Sequence, residues 1–102
     1  MDLWIRSQNR TKLLKVDNLE VKITPTGYCI FAYSMNKEYC IGNYKTFDRL
    51  IEILDEIGTI KFYKYLANLD IKSFANVLDN NCSKEKQADI LLKMSIYQMP
   101  QE

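Results

Sequence analysis

The hydrophobic period changes once along this chain, and that change limits the fold more than any other feature. Leu19, Val21 and Ile23 alternate with Glu20, Lys22 and Thr24, the period of two of a strand with one buried and one wet face. Beyond Thr46 the apolar positions Leu50, Ile51, Ile53, Leu54 and Ile57 recur at helical spacing, with Arg49, Glu52, Asp55 and Glu56 on the other side. Gly42-Asn43 marks the boundary. Strands followed by helices, rather than alternating with them, predict an α+β fold.

Turn chemistry divides the strand half. Residues 3–8 and 12–16 each read as a strand, and only Asp17-Asn18 separates the second from the alternating run. Asp and Asn tolerate positive φ, so that pair predicts a two-residue hairpin turn. Thr24-Pro25-Thr26-Gly27 is a further turn, with Pro presetting φ and Gly accepting a left-handed conformation. Residues 28–33 are apolar on both faces, as a central strand would be. Ser34-Met35-Asn36-Lys37 turns the chain again into a strand over 38–41.

In the helical half Thr46 is an N-cap with Asp48 in the first turn. Gly58 is expected to end or interrupt that helix, and residues 59–68 to be helical. Asp70 caps a short helix with Ile71, Phe74, Val77 and Leu78 inward. Ser83 caps another with Ala88, Leu91 and Leu92 as its apolar positions. Residues 94–99 return as a strand, stopped by Pro100, which cannot extend a ladder. The expectation is one α+β domain over residues 1–102: an N-terminal antiparallel β-meander of about five strands packed on C-terminal helices, with the final strand rejoining the sheet.

Composition removes several function classes. Lys and Arg number 14 against 13 Asp and Glu, evenly spread, so there is no basic surplus for neutralising phosphates and no acidic surplus for mimicking DNA. Nucleic acid is not an expected partner. No basic amphipathic stretch suits a membrane surface, and no leader is visible, since an acid at position 2 replaces an apolar start. Cys29, Cys40 and Cys82 form an odd set without a CxxC pair and read as reduced thiols in a cytoplasmic protein. Cys29 and Cys40 are expected in the core and Cys82 in an exposed loop.

Histidine is absent, which removes the commonest general base and metal ligand. The acids Asp48, Glu52, Asp55 and Glu56 could hold a divalent cation, but they interleave with an apolar stripe, as a solvated helix face does. No Gly-rich phosphate loop exists. The chain is therefore expected not to be an enzyme and to need no cofactor or metal.

Binding is the remaining class. The three arginines are Arg6, Arg10 and Arg49, and a guanidinium offers phosphate a bidentate fork. A strand over 3–8 projects Trp4, Arg6 and Gln8 on one face, and an aromatic, a guanidinium and an amide could recognise a base and a phosphate. The plainer alternative makes Trp4 core, lets Arg6 snorkel or pair with a carboxylate, and leaves Gln8 as turn surface. The candidate ligand-binding residues are thus Trp4, Arg6, Gln8, Arg10 and Arg49. Seven tyrosines, with Tyr44, Tyr63 and Tyr65 near element ends, add an expectation of self-association into a homo-oligomer.

Trp4-Ile5-Arg6-Ser7-Gln8-Asn9, Gly42-Asn43-Tyr44-Lys45-Thr46 and Tyr97-Gln98-Met99-Pro100 together resemble a family of short proteins encoded by phages and prophages of Gram-positive bacteria. Members open with Met-Trp-Ile-Arg-Ser-Gln, enter a helix through a Gly-x-Tyr-x-Thr-type segment and finish near a Met-Pro pair. Here Asp2 and Leu3 precede the Trp, and residues 59–93 match nothing in the family pattern. The family has no established activity, so the resemblance implies a setting, a phage within a host cell, rather than a reaction. Small accessory phage proteins often counter host defence. The expectation is a non-enzymatic protein that binds and sequesters a small host nucleotide signal in the host cytoplasm. The alternative is a module that inhibits a host defence protein by direct contact.

Overall fold

The computed structural model describes residues 3–102; Asp2, used above as evidence against a leader, lies outside them. The strands are β1 (Leu3–Arg6), β2 (Leu13–Val16), β3 (Asn18–Thr24), β4 (Gly27–Ser34) and β5 (Lys37–Tyr44). Helices α1 (Phe47–Leu69), α2 (Ile71–Asn81) and α3 (Lys84–Ser95) follow, and β6 (Ile96–Gln98) closes the order. The α+β class, the five N-terminal strands and the return of the last strand are as the pattern predicts.

Pairing at one junction differs. Asp17-Asn18 is not a hairpin turn, because β2 pairs antiparallel with β1 while β3 pairs with β4. The strands form two sheets in the orders β2-β1-β6 and β3-β4-β5. Asp17 is the crossing between them, its N–H donating to Tyr33 O at 2.9 Å. Val16 is buried on one side of this crossing, and β3 instead matches its alternation to the length of β4, from Asn18 opposite Tyr33 to Thr24 opposite Gly27. The β4–β5 hairpin turns through Met35 (φ 51°) and Asn36 (φ 66°), the two positive φ values of a type I′ turn.

Thr46 Oγ1 accepts from Arg49 N at 3.2 Å and starts α1 as expected. Gly58 neither ends nor interrupts it, because Ile53, Ile57 and Ile60 are all buried on one face and their packing outweighs the roughly 1 kcal/mol that an interior glycine costs. Asp70 caps α2, accepting from Lys72 N at 3.0 Å and Ser73 N at 3.3 Å, and these bonds, with that from the Ser73 hydroxyl foremost, hold its carboxyl below the usual range. Phe74 and Leu78 point inward, while Ile71 is exposed. Ser83 caps α3, whose buried residue is Ile90; Leu91 and Leu92 face outward instead. Ala88 is exposed as well, and the inward side of α3 is instead formed by Gln87, Ile90 and Met94.

Leu3 and Ile5 from β1, Ile30 and Ala32 from β4, Ile41 from β5 and the inward stripe of α1 form one core, and Tyr97 and Met99 complete it with no exposed surface. At Gly42 the end of the chain passes close against the second sheet: a Cβ there would stand 2.9 Å from Met99 Cε and 2.7 Å from the Tyr44 ring. Cys29 is buried as expected; Cys40 is exposed, because its neighbour Ile41 takes the core face of β5. Cys82 is half-buried at the end of α2 rather than exposed, and Tyr44 is buried rather than on the surface.

Candidate functional site

Alternation along β1 sorts its side chains as the sequence predicts. Leu3, Ile5 and Ser7 are at most 2% exposed, whereas Trp4 is 42% exposed and Arg6 half-buried. Trp4 is therefore not core. Residues directly opposite across a ladder share a face. Lys15, Trp4 and Ile96 form one row on the outer face of the first sheet, and Leu13, Arg6 and Gln98 form the next. Two residues of strand separate the rows by roughly 6.6 Å.

The five candidate residues do not converge on one site. Three of them hold the end of the chain. The Gln8 amide accepts from Asn43 N at 2.8 Å and donates to Asn43 O at 3.2 Å and Gln101 O at 2.8 Å. Gln101 returns a bond to Gln8 O at 3.1 Å. Arg10, itself at φ 64°, donates to Met99 O at 3.0 Å. Arg49 Nε donates to Glu102 O at 2.7 Å and Nη1 pairs with Glu52 at 3.2 Å. The Tyr44 hydroxyl adds a bond to Pro100 O at 2.8 Å, and burial pushes it up to about 12 against the opposing pull of Arg49 and Arg10. These groups are engaged with backbone carbonyls, so their chemistry serves the fold.

Trp4 and Arg6 are placed differently. Trp4 lines a groove of about 580 Å³ between the two sheets, together with Leu13, Lys15, Met35 and Tyr39. That volume lies within the roughly 300–1,000 Å³ of small-molecule sites. Lys12 Nζ stands 5.6 Å from the centroid of the Tyr39 ring at the groove's edge. Arg6 lies one row along the sheet from Trp4, and among the described residues its guanidinium has no hydrogen-bond or ion-pair partner. Aromatic surface, a long apolar side chain and cationic groups thus meet on one open face.

Met35, Tyr39, Leu13 and Lys15 were not legible as site residues. Met35 had one available signal. A type I′ turn favours Asn or Gly at both central positions, yet a methionine stands at φ 51° and is 86% exposed. An apolar side chain held in a strained position in solvent is the kind of outlier that accompanies binding surfaces.

Two further polar clusters are self-contained. On the outer face of the second sheet the single proton of the Tyr33 hydroxyl is shared between Glu20 at 2.5 Å and Glu38 at 2.9 Å, and Lys22 pairs with Glu38 while lying 4.8 Å from the Phe31 centroid. Those bonds raise Tyr33 and Lys22 and lower Glu38. Between α1 and α3, Tyr97 donates to Glu56 at 2.7 Å, and Lys93 pairs with both Glu56 (3.2 Å) and Asp89 (3.0 Å). Burial first, and then the bond to Glu56, raises the Tyr97 phenol. Burial alone would lower the Lys93 ammonium, but its bonds to Asp89 and Glu56 outweigh it and hold the group up.

Of the α1 acids, Glu52 and Glu56 are taken up by Arg49, Lys93 and Tyr97, and among the described residues no three His, Cys, Asp or Glu side chains group as metal ligands. No described helix is long and apolar enough to cross a membrane. Comparison with protein families, curated proteins and solved structures returns no match.

Proposed function

We propose that this protein is a non-enzymatic phage accessory protein that sequesters a small host nucleotide, with Trp4 stacking the base and Arg6 holding phosphate. The observation that supports this reading is the pairing of an exposed indole with an unengaged guanidinium on one face of β1, beside a groove lined by Met35 and Tyr39. A guanidinium binds phosphate through two parallel bonds, and one without an internal partner has no existing bond to give up when it does so. Gln8, Arg10 and Arg49, already engaged, leave the proposed ligand set and become positioning residues for the chain end. Lys15 and Lys12 supply positive charge near the groove.

Native mass spectrometry and calorimetry against cyclic and ADP-ribose-derived nucleotides test this. The expected result is a stoichiometric adduct that weakens about tenfold or more in Arg6→Ala and in Trp4→Ala and persists in Arg49→Ala. Absence of any adduct overturns the reading. An adduct lost only in Arg49→Ala moves the ligand to the cavity of about 250 Å³ beside Lys45, Thr46 and Glu102 and overturns the residue assignment. The alternative, inhibition of a host protein by direct contact, draws on the exposed Tyr65 and predicts indifference to both nucleotide and Arg6.

A further inference from the structure

We propose that Cys29 and Cys40 form a two-thiolate site for a soft monovalent metal ion, copper(I) in class, on the outer face of the second sheet. It is independent of the nucleotide reading.

Alternation along β4 places the first thiol. Ile30 and Ala32 belong to the core, so Cys29 and Phe31 point the other way, off the core face of the sheet. Cys29 is nevertheless only 4% exposed, and it is not a member of the core cluster. Its cover comes from neighbours on the outer face, where Thr24 Oγ1 lies 3.5 Å from its sulfur. On β5, Ile41 takes the core face and leaves Cys40 exposed on the outer one. Cys40 stands opposite Phe31, so Cys29, two residues along β4, is its diagonal neighbour on the same face.

Local geometry turns the thiols toward each other. Cys40 Sγ lies 3.7 Å from Gly42 O, leaning along β5 toward the end where Cys29 faces Asn43. It also comes within hydrogen-bonding reach of the Cys29 thiol. Between the two cysteines the ladder bulges, passing from Phe31 opposite Cys40 to Ile30 opposite Gly42 and leaving Ile41 unpaired. Bulges bend a strand and recur beside binding sites, where they re-aim a side chain.

The donors select the ligand. Thiolate sulfur prefers soft ions. Zinc calls for four ligands, and among the described residues no third His, Cys, Asp or Glu joins this pair. Copper(I) is satisfied by two sulfurs on opposite sides of it. On binding, two S–H bonds break, two S–Cu bonds form and two protons leave to water; copper stays monovalent and no oxidant takes part. The Thr24 hydroxyl can then donate to the Cys29 thiolate. Entry is through Cys40, which borders a groove of about 210 Å³ beside Gln8 and Asn9. A direct disulfide fits less well. Diagonal neighbours stand roughly 7–8 Å apart, at or beyond the ~7 Å a disulfide spans without moving the backbone, whereas a bridging ion lengthens the span by a second bond.

Anaerobic titration of the reduced protein with copper(I), buffered by bicinchoninate and read by native mass spectrometry, tests the site. The expected result is one copper per chain, retained in Cys82→Ser and weakened about a hundredfold or more in Cys29→Ser and in Cys40→Ser. Because Cys40 is exposed, Cys40→Ser should leave the thermal midpoint of the metal-free protein unchanged, which separates loss of the site from loss of the fold. X-ray absorption at the copper edge should show two sulfur neighbours. Absence of uptake, uptake that survives Cys40→Ser, or uptake lost in Cys82→Ser overturns the proposal. Glutathione disulfide should leave both thiols free; a Cys29–Cys40 disulfide formed with it would make the pair a redox couple and overturn the assignment.

Discussion

The two sheets use strands of similar composition but close in opposite ways. In β3-β4-β5 every paired residue lies within sixteen positions of its partner, so two tight turns define the sheet. In β2-β1-β6 the central strand must meet residues 92 positions away, Trp4 beside Ile96 and Arg6 beside Gln98. Closing so long a loop costs entropy before its contacts repay it. The second sheet is therefore a locally specified frame, and the first is completed late, by side chains that capture the returning chain end. Gln8, Arg10, Arg49 and Tyr44 all serve that capture.

Core truncations test this contrast with the largest effects. Met99→Ala and Ile30→Ala each remove a fully buried side chain, and each should cost about 2–4 kcal/mol in denaturant unfolding. Their kinetics should differ. Ile30→Ala, in the local frame, should slow refolding, whereas Met99→Ala, at the late closure, should mainly speed unfolding. Equal slowing of refolding by both would abolish the proposed order of assembly.

Removing the capture without touching the core is the sharper, smaller test. Gln8→Ala deletes an amide that bonds both Asn43 and Gln101 and should cost about 1–2 kcal/mol. Hydrogen exchange should then quicken at β6 and leave β3 and β4 protected. Uniform quickening would mean that the sheets open together.

Alkali should loosen the same region. The phenols of Tyr97 and Tyr44 are both raised above their ordinary value, so the unfolded chain releases those protons more readily than the folded one. Their contribution is complete below pH 10 and declines as pH rises above it, through about 12 for Tyr44. The thermal midpoint should fall across that window, and less steeply in Tyr97→Phe. An unchanged slope in the variant would remove Tyr97 from the account.

What the sequence disclosed follows from range. Alternation in β3, the caps Thr46, Asp70 and Ser83, and the stop at Pro100 are local signals, and each element they predict is present. Asp17-Asn18 misled because its residues suit a hairpin, while the choice of partner strand belongs to distant residues. The candidate site divided for the same reason. Period two put Trp4 and Arg6 on one face but left open whether that face was core or solvent, and nothing near Gln8, Arg10 or Arg49 in sequence announces that the chain end will claim them. The groove was hidden too, since it exists only where Met35 and Tyr39 of one sheet approach Trp4 of the other.

Arg6→Ala should have the smallest effect on stability and is the most informative on function. Arg10 and Arg49 each hold a carbonyl of the chain end, so their loss removes a bond of the fold; Arg6 holds none. Its replacement should change unfolding free energy by no more than about 0.5 kcal/mol, the range of surface positions without special contacts. A long cationic side chain kept on a sheet face without a partner contributes little to the fold and much to any anion that arrives. If Arg6→Ala instead destabilised the protein as strongly as Gln8→Ala, its stem would be packing against Leu13 and the sheet, and the guanidinium would lose its claim as a phosphate fork. Equal stability together with lost nucleotide binding would place Arg6 on the functional side of the divide that separates it from Arg10 only four residues away.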